Sequence, residues 1–167
     1  MPSPDPATAA VVRTLIDRGL TIAAAESLTG GLLTAELTSV PGASAVVLGG
    51  AVVYATELKH SLLGVDADLL AAEGPVHPEV ARQLASGVRQ RLAVDGRPAD
   101  VGLATTGVAG PDPQGGRPVG TVFVGVSSAR GTRAIALELS GDRDAIRRAT
   151  VVSAVAALAE ELGITAV

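Results

Sequence analysis

Ser27 and Thr29, followed by Gly30 and Gly31, stand between an apolar run at 22–25 and a helix-like segment at 32–37. A hydroxyl at a strand-to-helix turn lies beside backbone N–H groups that have no partner within the helix, near the positive end of the helix dipole. Such a turn presents a nucleophile or holds an anion. The same residues also suit a structural turn, in which Ser27 or Thr29 caps the helix and the glycines allow close packing.

Tyr54 and Lys59 follow where a strand runs into a helix. With Thr56 as cap, Lys59 is the third helical residue, where the dipole and burial against a sheet edge both favour the neutral amine, a general base. A solvated surface lysine is the plainer alternative. Tyr54, the sole tyrosine, could donate its phenol to an oxyanion, relay a proton or lie against a flat ring, or simply sit at the core edge with its hydroxyl in water. Ser44, after the Pro41-Gly42 turn, adds a hydroxyl near the same strand, although a serine there commonly serves the turn itself.

Thr105, Thr106 and Gly107 open a third candidate segment, a glycine- and proline-rich stretch reaching Thr121. Glycines let backbone N–H groups approach an anion, and the threonines add hydroxyls at a strand end. No Gly-Lys-Ser/Thr follows and no helix opens there, so it is not a P-loop. A long surface turn explains it equally. Arg143, at the start of the last helix, could grip a phosphate as a fork, or pair with Asp142 or Asp144 in water.

The composition narrows the chemistry. A chain of 167 residues reads as one domain, with 1–10 as a flexible, proline-bearing N-terminus and 11–167 as the folded unit. With no cysteine, thiolate nucleophiles, disulfides and thiolate metal sites are excluded, and His60 and His77 are not spaced as a ligand pair. No metal and no cofactor is expected. A net charge of −4 and only two aromatics, Tyr54 and Phe123, argue against nucleic acid and for a small soluble ligand. No signal peptide and no apolar run long enough for a membrane span is visible, so the expected location is cytoplasmic. A homo-oligomer is left open.

The elements that must position these residues follow from periodicity. Helices are expected over 11–20, from 28 or 29 to 39, over 56–63, as one or two turns over 66–72, over 78–93 behind a His77 cap, and from Asp142 to Gly163. Gly87 interrupts the 78–93 helix at a modest cost. Strands are expected over 22–25, over 45–55 with a bend at Gly49-Gly50, over 99–106, and as an antiparallel hairpin of 119–127 with 132–139. The pattern is a layered α/β/α domain with a mixed sheet of about five or six strands.

Taken in order, Ala-Glu-Ser-x-Thr-Gly-Gly at 25–31, Thr-Ser-Val-Pro-Gly-Ala-Ser at 38–44, Tyr54 with Lys59, Gly-Val-Ala-Gly-Pro at 107–111, Pro-Val-Gly-Thr-Val at 118–122 and Ser-Gly-Asp-Arg at 140–143 resemble the C-terminal domain of the CinA (competence/damage-inducible) proteins. The resemblance runs over 11–162. It implies an amidase whose stand-alone members convert nicotinamide mononucleotide to nicotinate mononucleotide and ammonia, with Ser27 as nucleophile, Lys59 as its base and Tyr54 assisting. It further implies that N–H groups of Thr29, Gly30 and Gly31 hold the oxyanion. The substrate's phosphate would lie against Arg143 or the 106–110 loop, with Ser44, Thr105, Thr106 and Gly107 nearby. The rivals are a catalytically silent nucleotide-binding or protein-interaction module, and a Ser-Lys hydrolase of another small amide.

Overall fold

All five residues of the first strand, β1 (Ile22–Glu26), are buried, as they must be for a strand with a neighbour on each side and helices over both faces. The computed structural model describes residues 3–165. Strands β2 (Val47–Val52) and β3 (Val101–Gly107) flank β1, both parallel to it. β4 (Thr121–Ser128) runs antiparallel to β3, and β5 (Gly131–Glu138) antiparallel to β4, giving the order β2-β1-β3-β4-β5. The mixed sheet and its C-terminal hairpin are those expected.

Alternation along β1 builds two cores. Ala24 joins Leu103, Val124 and Val126 against α1 (Pro6–Arg18), α2 (Leu32–Thr38) and α6 (Arg143–Glu161). Ala23 and Ala25 face the other way, toward α3 (Thr56–Leu63), α4 (Ala67–Glu73) and α5 (Pro78–Arg91). The result is three layers. Among the described residues no helix is long and apolar enough to cross a membrane.

Several boundaries differ from expectation, each for a local reason. α1 begins at Pro6, because the Asp5 carboxylate accepts from the Ala7 and Thr8 N–H groups and Pro6 is preset for a first turn. Residues 6–10 are therefore helical; Met1 and Pro2, also placed in the flexible stretch, lie outside the described residues. α2 starts only at Leu32, since Gly30 and Gly31 take positive φ values of 57° and 104° and residues 27–31 form separate turns. Residue 45 belongs to a short 3-10 turn (Ala43–Ala45), and β2 carries its irregularity at Leu48, where the partner register jumps from Val47 to Gly49. Thr56 is the first residue of α3 and not its cap, so Lys59 is the fourth helical residue.

Gly87 is more than a tolerated interruption. A Cβ there would stand 2.0 Å from the Leu63 carbonyl oxygen, so the glycine lets the end of α3 rest on α5. Helix propensity alone favours Gly87→Ala by about 1 kcal/mol. The steric contact reverses that sign, and we expect Gly87→Ala to lose on the order of 1–3 kcal/mol in urea unfolding. A variant as stable as the wild type would mean that α3 and α5 are not in this contact in solution.

Candidate active site

Ser27 is the first residue beyond β1, and its N–H still donates to the Thr105 carbonyl at 3.1 Å, one more rung of the β1–β3 ladder. It sits at the carboxyl ends of the parallel strands. There β1 leaves toward α2 on one face and β2 leaves toward α3 on the other, the kind of crevice in which open α/β sheets bind ligands. The cleft here is lined by Ser27, Tyr54, Lys59, Thr106, Gly107 and Arg143.

Lys59 reaches this point from the other layer. It is 1% exposed, with Nζ 3.1 Å from Ser27 Oγ and donating to the Val53 carbonyl at 2.7 Å. Among the described residues no carboxylate lies within salt-bridge distance of it. Burial lowers its pKa from 10.5 to about 8, with Glu57 pulling weakly the other way. A neutral Lys59 keeps one N–H on Val53 and leaves its lone pair to accept the Ser27 proton. The pair expected from sequence is assembled.

Glu26, a residue to which sequence reasoning gave no role, fixes the turn. Fully buried at the end of β1, its carboxylate accepts from Gly31 N–H (3.0 Å), Leu33 N–H (3.0 Å), Thr34 N–H (2.8 Å) and the Thr34 hydroxyl (2.6 Å). These donors are the open end of α2. The oxyanion role expected of 29–31 is therefore corrected: Gly31 N–H belongs to Glu26, and Gly30 N–H donates to the Ser27 carbonyl at 3.1 Å. Thr29 turns inward, its hydroxyl 2.8 Å from that of Thr105, and neither threonine borders the cleft. The signal that marks Glu26 is its type: a carboxylate ending an apolar strand needs donors.

The remaining expected residues divide. Thr106 and Gly107 line the cleft, and the Thr106 hydroxyl donates to the Pro75 carbonyl at 2.6 Å, tying down the opposite wall. Tyr54 is 59% exposed on the rim, where its hydroxyl accepts from Arg143 Nη2 at 3.0 Å; its structural partner is the arginine, not Ser27. Arg143 Nη1 also donates to the Gly110 carbonyl at 2.6 Å, so the two anion anchors left open by sequence are one surface. Ser44 is exposed in the 3-10 turn before β2, at the amino ends of the parallel strands and thus across the sheet from Ser27. It is no part of this site.

Arg147 was also without a sequence-derived role. From α6 its Nε donates to Leu28 O at 2.9 Å and its Nη2 to Thr29 O at 3.1 Å, clamping the turn from behind. Its signal was present as spacing: Arg143 and Arg147 are four apart, on one helix face.

Residues 5–162 match the profile of the CinA C-terminal domain. A CinA-like protein of Frankia casuarinae is 54% identical over 144 residues, covering 86% of this chain and 32% of its own length. A putative competence-damage inducible protein of a Geobacillus species (strain WCH70) is 51% identical over 137 residues, covering 81% of this chain and 32% of its own. The chain thus spans about a third of the length of these relatives. Among solved structures, a competence-damaged protein (CinA) superfamily protein from Klebsiella pneumoniae superposes with a TM-score of 0.87 at 32% identity, covering 94% of this chain and 96% of that one. A competence/damage inducible protein from Agrobacterium tumefaciens gives 0.85, also at 32%, over 98% and 99%. With residues 5–162 matched by the family profile and a 54% identical relative over 86% of its length, the chain belongs to the CinA C-terminal domain family.

Proposed function

We propose that the protein is an amidohydrolase that converts nicotinamide mononucleotide to nicotinate mononucleotide and ammonia through a Ser27 acyl-enzyme. The observation that carries this reading is the buried Lys59 amine, 3.1 Å from Ser27 Oγ and without a carboxylate partner among the described residues. An ammonium in that position is costly, and a base beside a hydroxyl is what the cost supports. Ser27 Oγ attacks the carboxamide carbon while its proton passes to Lys59 Nζ. Collapse of the tetrahedral intermediate expels the amide nitrogen, which takes that proton and leaves as ammonia. Water, deprotonated in turn by Lys59, attacks the ester and releases the carboxylate with Ser27 restored.

The substrate's phosphate is assigned to the rim formed by Arg143, Tyr54 and Gly110, where the guanidinium is already oriented by two hydrogen bonds. A silent nucleotide-binding module would use this rim equally well. It would leave the Ser27–Lys59 pair without a purpose, and that pair is what favours the hydrolase.

Ammonia release from nicotinamide mononucleotide is expected for the wild type and is expected to fall at least ~10³-fold in Ser27→Ala and Lys59→Ala. Lys59→Arg is inactive too, since guanidinium does not deprotonate near neutral pH. Full turnover by Ser27→Ala would end the mechanism, and no release by the wild type would end the substrate assignment. Tyr54→Phe, by freeing Arg143, raises KM about five-fold, equivalent to about 1 kcal/mol, with kcat within two-fold; a loss confined to kcat would instead place the phenol in the chemistry.

Lys59 also sets the pH dependence. The rate kcat/KM rises with pH through about 8 and then levels, because only the neutral amine is a base. Stability moves in the same direction. Between about 8 and 10.5 the folded chain has released this proton and the unfolded chain still holds it, so unfolding grows harder as pH rises through the window. The shift is worth on the order of 3 kcal/mol, a stabilisation present above 10.5 and lost as pH falls through about 8. Urea titrations at intervals from pH 7 to 10.5 should show this rise in the wild type and not in Lys59→Met; parallel curves for the two proteins would refute it.

A further inference from the structure

Two backbone N–H groups flank Ser27 with no acceptor among the described residues, and we propose that these, Leu28 N–H and Gly107 N–H, form the oxyanion hole. This rests on the reading of Ser27 as an acyl-transfer nucleophile. Buried N–H groups are paired in more than about 90% of cases, so an unpaired one in a cleft wall calls for a ligand atom. Leu28 is 3% exposed, borders the cleft and directly follows Ser27. Of the other N–H groups of the turn, Ser27 donates to Thr105 O, Gly30 to Ser27 O and Gly31 to Glu26; Thr29 N–H also has no acceptor among the described residues, but Thr29 does not border the cleft.

Sheet geometry directs the second donor. Along β3, alternate residues turn their backbone groups to β4 and to β1. Val108 N–H bonds the Thr121 carbonyl of the β4 side, and the Thr105 carbonyl bonds Ser27 on the β1 side. Gly107 shares the parity of Thr105 and therefore turns its N–H toward Ser27. In a continued ladder that N–H would meet the Ser27 carbonyl, but this carbonyl is bonded by Gly30 N–H as the chain turns off into 27–31. Gly107 is left as an open donor in the cleft wall.

Both donors are held before substrate arrives. The Leu28 peptide is fixed by Gly30 N–H on the Ser27 carbonyl and by Arg147 on Leu28 O, and Gly107 is fixed by the central sheet. Preorganised donors of this kind stabilise a developing oxyanion without reorganising. As Ser27 Oγ bonds to the carbonyl carbon, the carbonyl's π pair moves onto oxygen, where the two N–H groups receive it. When the C=O re-forms, the leaving group departs with the proton held on Lys59.

Replacing Leu28 by 2-hydroxyisocaproic acid, and separately Gly107 by glycolic acid, in the full chain exchanges one N–H for an ester oxygen and keeps the side chain. Acylation of Ser27 by p-nitrophenyl acetate is followed by nitrophenolate release and located by mass spectrometry. Each replacement is expected to slow acylation about 10²- to 10³-fold with an unchanged pH midpoint. Tm should stay within about 3 °C of the wild type, because neither N–H has a structural partner to lose. Unslowed acylation in both variants overturns the assignment, and so does a large fall in Tm, which would mean that the N–H was structurally bonded. A wild type that is acylated nowhere or away from Ser27 overturns the nucleophile reading and this inference together; acylation at Ser27 that the esters do not slow overturns this inference alone.

Discussion

The turn that presents Ser27 depends on a single buried carboxylate. Glu26 collects three N–H groups from the start of α2 and the Thr34 hydroxyl, at a helix end where Gly31 provides no side-chain cap. Hydrogen bonds to a charged acceptor are worth roughly 1.5–3 kcal/mol each, and the orphan donors of a buried helix end would cost a comparable amount if left unmade. The arrangement also needs Gly50, since a Cβ there would fall 2.0 Å from Thr34 Oγ1 and push that hydroxyl off Glu26. A carboxylate on the positive end of α2 has a functional consequence. The helix end is already occupied by the Glu26 carboxylate, so under the proposed function a substrate anion falls to the rim around Arg143.

The same end of β1 carries two buried ionisable side chains that are kept apart. Among the described residues, the donors to the Glu26 side chain come from Gly31 and the start of α2, whereas Lys59 enters from α3 on the other face and bonds only Val53 O and Ser27 Oγ. Had the amine reached Glu26, it would have been held as an ammonium and lost as a base. The sheet separates them, and the backbone alone connects them, through Val53 N–H donating to the Glu26 carbonyl at 2.8 Å. The close contact of Leu63 with Gly87 holds α3 one turn beyond Lys59, so the position of the Lys59 amine follows from packing between helices distant in sequence.

Much of this was legible in the sequence. The alternating runs of the hairpin, the Val80, Leu84 and Val88 stripe of α5 and the Gly64 stop of α3 are local signals, and the sheet they build is mixed as those signals require. Ser27 and Lys59 were legible as types beside strand ends. What failed was anything set by a side chain reaching backbone across the fold. Spacing sees Gly30 and Gly31 as free N–H groups, and only the folded chain reveals that Ser27 O and Glu26 have taken them. Ser44 stands close to β2 in sequence, but parallel strands put all their amino ends on one edge, and that edge is the wrong one. The start of α1 was a missed local signal, since Asp5-Pro6 reads as a cap and first residue once prolines are weighed by position and not by number.

α6 joins the two halves of the cleft. Its first residue, Arg143, touches the exposed rim through Tyr54 and Gly110, while Arg147 one turn later grips the turn behind Ser27. The physical settings differ. Arg143 and Tyr54 lie in water, where hydrogen bonds are individually weak and geometry adapts to a ligand. Ser27, Leu28, Thr29 and Lys59 are buried at the carboxyl ends of β1 and β3, where polar interactions are strong and little can move. Under the proposed function, recognition falls to the rim and chemistry to the floor, two separate environments. On that reading a rim change is absorbed mainly in binding, whereas a floor change acts on the barrier, because only the floor groups face the atoms whose charge changes.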